Sequence, residues 1–131
     1  MASEKRKIGD ICEGLAVKHL VKQGFSILDR NYSKKWGELD VVAKGEDGLH
    51  FIEVKGASGL GARPEENVHH WKQKRLYRAI QTWFLDHEGY DDYEWQVDVM
   101  AVRLDFGLKK AKIRWLKNMG KRQRSMAFPL K

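Results

Sequence analysis

Residues 37–55 read Gly37-Glu-Leu-Asp-Val-Val-Ala-Lys-Gly-Glu-Asp-Gly-Leu-His-Phe-Ile-Glu-Val-Lys55, two runs of strand formers on either side of a tight turn, Gly45-Glu-Asp-Gly48. With the turn centred between Glu46 and Asp47, Asp40 falls opposite Glu53 and Glu38 opposite Lys55. Strand side chains alternate with period two, so Glu38, Asp40, Glu53 and Lys55 share one face, together with Val42 and Phe51. Leu39, Val41, Ile52 and Val54 are expected on the other. A slip of one residue would drive the charged groups into the apolar layer, so the pattern itself fixes the register.

Working outward, Ile8, Ile11, Cys12, Leu15, Ala16, His19 and Leu20 recur at helical spacing, predicting a helix to about Lys22 that Gly24 can end. Phe25 to Asn31 reads as a short strand. Gly56 to Pro64, with three glycines, a serine and a proline, reads as a mobile loop beginning directly after Lys55. Val68, Trp71, Leu76, Ala79, Ile80, Trp83 and Phe84 mark a second, longer helix closed by Asp86-His-Glu-Gly89. Trp95 to Arg103 and Ile113 to Leu116 are the last strands, the latter at an edge. The order α-β-β-β-α-β-β predicts an α/β domain: one mixed sheet flanked by two helices.

The chain has 131 residues, 25 Lys and Arg against 18 Asp and Glu, a formal charge of +7, and 42% apolar residues. That length suits one domain with a core large enough to need neither disulfides nor a structural metal. The single Cys12 forms no internal bridge and is expected to pack in the core, which favours a cytoplasmic location. No run of about 18 apolar residues exists to span a membrane. The charge is unevenly placed. Residues 109–131 carry nine basic and no acidic side chains, whereas the other 108 residues carry 16 basic and 18 acidic. The excess belongs to the C-terminal segment, readable as a solvated tail or as a phosphate-binding arm.

The charged face of the hairpin has two readings. Exposed cross-strand ion pairs contribute at most about 1 kcal/mol and are common. Yet Val42 and Phe51 on the same face imply partial cover, and three partly buried carboxylates repel unless a cation sits among them. Carboxylates so placed are oxygen ligands suited to Mg²⁺, which accepts one or two of them along with waters and a substrate phosphate.

Gly37-Glu-Leu-Asp40 followed by Glu53-Val-Lys55 resembles the active-site signature of the PD-(D/E)xK nuclease superfamily. A longer pattern adds Gly9, Glu13, Ala16, Leu20, Gly24, Asn31-Tyr32, Phe51-Ile52, Lys72-Gln73, Arg75-Leu76 and Val97-Asp-Val99. Over about residues 8–119 the chain is similar to the YraN-like family of predicted endonucleases, related in fold to archaeal Holliday-junction resolvases. The resemblance implies a restriction-endonuclease-like domain over 1–119, with 120–131 as a basic tail. It implies Mg²⁺ or Mn²⁺ held by Asp40, Glu53 and the Val54 carbonyl, with Lys55 orienting the attacking water or stabilising transition-state charge. Glu13 matches a position where related resolvases add an acidic group, and Glu38 would bind an outer water or stabilise Lys55.

Lys72 and Arg75, three apart on the second helix, and Gln73 between them are expected to approach phosphates or the site. Trp36 is expected in the core or stacked on a base, and Asp98 in a structural role. One departure stands out: the family usually places Arg two residues after the Lys of E-x-K, and here that residue is Ala57. Arg63, or Lys121, Arg122 and Arg124 of the basic tail, would have to substitute for it. The expectation is a metal-dependent endonuclease on branched or structured DNA, dimeric if it cuts a four-way junction symmetrically. The rivals are a non-catalytic nucleic-acid-binding module and a partner-protein adaptor in DNA repair or uptake.

Overall fold

The computed structural model describes residues 3–58 and 73–118. Helix α1 (Glu4–Lys22) starts where the Ser3 hydroxyl accepts the Arg6 N–H at 3.1 Å, and Gly24, in the left-handed region at φ 94°, turns the chain away beyond it. Then come β1 (Ser26–Lys34), β2 (Gly37–Gly45), β3 (Gly48–Ser58), α2 (Gln73–Asp86), β4 (Trp95–Asp105) and β5 (Lys110–Leu116), the order expected from the sequence. The five strands form one sheet in chain order, antiparallel except for the parallel pair β3 and β4. A parallel step requires a long crossover, and α2 lies within it. No helix among the described residues is long and apolar enough to cross a membrane.

Each sheet face carries one helix. On the α1 side, Ala16 and Leu20 pack with Val41, Ala43, Ile52 and Met100, while Cys12 packs with Val102 and Leu104. On the α2 side, Leu76, Ala79, Ile80 and Trp83 cover Leu39, Val42, Phe51 and Val97. Covered on both faces, β4 reads as a nearly unbroken apolar run rather than an alternating one. The C-terminal end of α2 is tied to β1: the Tyr32 hydroxyl donates to Asp86 at 2.5 Å, and the Trp83 indole N–H to Asp29 at 3.2 Å.

The β2–β3 register, Val41 opposite Ile52 and Gly45 opposite Gly48, is the one the turn implied. Two expectations need correction. Leu39 packs on the α2 side with Val42 and Phe51, not with Val41 and Ile52. Beyond Val41 the Val54 N–H goes to the Asp40 side chain instead, at 2.8 Å, and without the backbone ladder strict alternation lapses. Second, the chain does not leave the sheet after Lys55. Gly56, Ala57 and Ser58 continue β3, paired with Val102, Arg103 and Leu104, because the parallel neighbour satisfies their backbone.

The sheet's other end is organised by a buried ionic cluster. The Asp98 carboxylate accepts from His50 Nδ1 (2.6 Å), Trp115 Nε1 (2.8 Å), Gln96 Nε2 (2.8 Å) and the Asn118 N–H (3.0 Å), and His50 Nε2 meets Asp47 at 2.9 Å. His50 and Asp98 are 1% and 0% exposed, so each would be costly if left alone. Burial opposes the charge on His50, but the hydrogen bonds that its ring donates to Asp98 and Asp47 prevail and raise its pKa. Burial likewise opposes the charge on Asp98, and the donors prevail, lowering its pKa. The structural role expected of Asp98 is therefore a joint one with His50, linking β3, β4 and the chain after β5.

Asp98→Asn turns an amide N–H₂ toward donors and should destabilise the protein by about 3 kcal/mol or more in urea titrations. The lowered Asp98 pKa contributes stability above about pH 3.9, and the raised His50 pKa contributes stability below about pH 6.5 that is lost as pH rises through it. The difference between wild type and variant should accordingly be greatest between those limits and narrow on the alkaline side.

Candidate metal centre

Asp40 and Glu38 come from β2, Glu53, Val54 and Lys55 from β3, Glu13 from α1, and two glycines let the helices close on them. A Cβ on Gly37 would sit 2.6 Å from the Arg75 carbonyl oxygen, so only glycine admits α2 there. A Cβ on Gly56 would strike the Cys12 side chain, which is buried as expected with its thiol 3.9 Å from the Val102 carbonyl.

Asp40 is the centre of the arrangement. Its Oδ2 accepts the Val54 N–H, and the Glu53 carboxyl lies within hydrogen-bonding reach. Burial first, then the Glu53 charge, push the Asp40 pKa up to about 7, against the lowering effect of the Val54 N–H. Glu13 is drawn into the same field. Its pKa is raised by burial, then by Asp40 and Asp10, with Arg30 opposing and Glu38 adding to the rise. Lys55 Nζ stands 3.9 Å from Glu53 Oε2; among the described residues that is its ion pair, whereas Glu38, expected opposite it, is exposed.

The structure thus gathers Asp40, Glu53, Val54, Lys55, Glu13 and Glu38 in one region. It also brings in Arg30, which the sequence reading passed over. The available signal was the β1–β2 register, which sets Arg30 beside Val41 and next to Asp40. Arg75 Nε donates to the Trp36 carbonyl at 3.2 Å. Trp36 itself donates to the Thr82 hydroxyl at 3.2 Å, with the Arg78 guanidinium 4.9 Å above its ring, so its indole is docked on α2 rather than presented to a base. Gln73 opens α2. Its side chain, together with Arg63, Lys72, Lys121, Arg122 and Arg124, lies outside the described residues, as does the tail 120–131.

Among the described residues no three His, Cys, Asp or Glu side chains converge closely enough to hold an ion by themselves. The donor set is instead two adjoining carboxylates and a strand backbone, with an ammonium beside them. That set fits a hard divalent cation, which takes few protein oxygens and keeps waters. Two carboxylates forced together in a largely enclosed place repel, and either a proton or a cation relieves the repulsion.

Folding disfavours the charged form of Asp40, a penalty absent below about pH 3.9 and fully present above its raised pKa near 7. Asp40→Asn keeps an acceptor for Val54 and should therefore raise the melting temperature at pH 8 by a few degrees, with the gain vanishing toward pH 4. Millimolar Mg²⁺ at pH 8 should raise the melting temperature of the wild type and leave that of the variant unchanged.

The sequence pattern described as Uncharacterised protein family UPF0102 matches residues 12–102. A UPF0102 protein of Alkaliphilus oremlandii is 40% identical over 115 residues, covering 86% of this chain and 97% of that one. Those of Campylobacter fetus and Corynebacterium efficiens are 34% and 37% identical, covering 82% and 80% of this chain and 88% and 84% of theirs. With a match over most of its length and relatives aligned nearly end to end, the chain belongs to the UPF0102 family.

Proposed function

We propose that this protein is a metal-dependent endonuclease of the PD-(D/E)xK superfamily that hydrolyses phosphodiester bonds in branched or structured DNA. The observation that carries the reading is the pairing of Asp40 with Glu53 at the point where the β2–β3 ladder gives way, with Lys55 on the same strand 3.9 Å from Glu53. Carboxylates kept apart would need no cation, and a lone Lys would have nothing to direct it.

In this reading Asp40, Glu53 and the Val54 carbonyl hold Mg²⁺ or Mn²⁺. Held there, such an ion would supply polarisation of the scissile phosphate and a lowered pKa for its water, both of which ease in-line hydrolysis. The chain's own groups do the rest. The Val54 N–H fixes Asp40 in place, Glu53 positions the Lys55 ammonium, and Lys55 orients the attacking water and balances charge on the phosphoryl oxygens. Glu13 feels the charge of Asp40, with Arg30 opposing it. A non-catalytic nucleic-acid-binding module that keeps the fold is the second reading, motivated by Ala57, whose departure from the family's usual Arg fits drift in a protein that no longer cuts.

Labelled four-way junction, flap and single-stranded DNA incubated with Mg²⁺ or Mn²⁺ should yield metal-dependent products with the wild type. Asp40→Ala and Lys55→Ala should lower the rate by about 100-fold or more. Absence of metal-dependent product on every substrate, or equal product from the variants, overturns the reading; DNA binding that persists in EDTA without product favours the second.

A further inference from the structure

The strand register continues the candidate centre sideways. Lys55 lies beside Ala101, and Ala101 opposite Arg114; one step on, Ala57 lies beside Arg103, and Arg103 opposite Lys112. Neighbours in register point to the same face, so Lys55, Arg103, Lys112 and Arg114 share one side of the sheet. It is the side opposite α1, since Gly56, Val102 and Ile113, the intervening residues, face that helix. Small residues separate the cations: Ala101 is buried and Ala57 half-buried, while Arg103, Lys112 and Arg114 are exposed.

Arg103 and Lys112 form a like-charged pair directly opposite one another, an arrangement that destabilises a ladder unless an anion lies across it. The acidic residues of β4 do not relieve it. Asp98 is buried on the α1 side, and Asp105, which accepts the Leu108 N–H at 3.1 Å in the β4–β5 turn, forms no ion pair with Arg103 or Lys112 among the described residues. β5 has no acidic residue. From β3 to β5 the row spans two strand spacings, about 10 Å, enough to meet more than one phosphate of a nucleic-acid strand.

We propose that the exposed Arg103 and Lys112, flanked by Arg114, form a phosphate-binding track on the side of β4 and β5 opposite α1 that lays the DNA backbone across the sheet and delivers it to Lys55. The proposal rests on the endonuclease reading for its substrate. Acidic surfaces of proteins share the charge of DNA, but a regular row of cations ending at a candidate hydrolytic centre matches a repeating phosphate chain.

The test is fluorescence anisotropy of a labelled duplex and a four-way junction over a salt series, with Ca²⁺ in place of Mg²⁺ and the full chain throughout. Arg103→Gln combined with Lys112→Gln should weaken binding by about tenfold or more and reduce the log–log salt slope on the duplex by about 1.8, two phosphates' worth. Lys18→Gln, an exposed cation on α1, should change neither. The double variant should melt no lower than the wild type, because it removes a like-charged pair. Wild-type binding that the double variant leaves intact overturns the track and spares the endonuclease reading. A weakened double variant in a protein that never cleaves supports the track and overturns catalysis. A wild type without salt-sensitive DNA affinity overturns both.

Discussion

The hydrogen bond from the Val54 N–H to the Asp40 carboxylate, 2.8 Å long, stands where a ladder bond between β2 and β3 would otherwise continue. Taking a side chain as acceptor releases the strands from strict alternation, and several features follow from that release. Leu39 turns to the α2 core, Asp40 is held against Glu53, and Lys55 is carried past the end of the hairpin on a strand that continues only because β4 runs parallel to it. The bond also opposes the proton that burial and Glu53 favour on Asp40, leaving a carboxyl poised near neutrality.

Two enclosed aspartates show how completely the surroundings decide the chemistry of one residue type. Asp98 is ringed by four donors, one of them an imidazole that its own charge helps to protonate, and its pKa falls. Asp40 has one backbone donor and a second carboxyl, and its pKa rises. The first is satisfied and serves to join β3, β4 and the chain after β5. The second lacks a counter-charge among the described residues, a condition that favours a cation.

Much of the architecture was legible because it is local. A four-residue turn with apolar alternation on both sides fixes the β2–β3 register without reference to the rest of the chain, and helical spacing marks α1 and the described part of α2. Asp40, Glu53 and Lys55 could be singled out on that basis. His50 could not, since a histidine in an apolar strand shows no sign of its partner, and Asp98 lies 48 residues away on a strand reached only through the crossover. Nor could the docking of Trp36, whose partners Thr82 and Arg78 stand on a helix that has to be laid over β2 first.

By itself, then, the amino-acid order determined the elements, the hairpin register and which acidic and basic residues share the hairpin, because turns and side-chain periodicity act over a few residues. The tertiary structure decided which of those charges are neutralised and which are left facing each other. Desolvation and donor supply are set by parallel pairing between β3 and β4 and by the approach of α1 and α2 at Gly56 and Gly37, contacts between segments that no local pattern brings together.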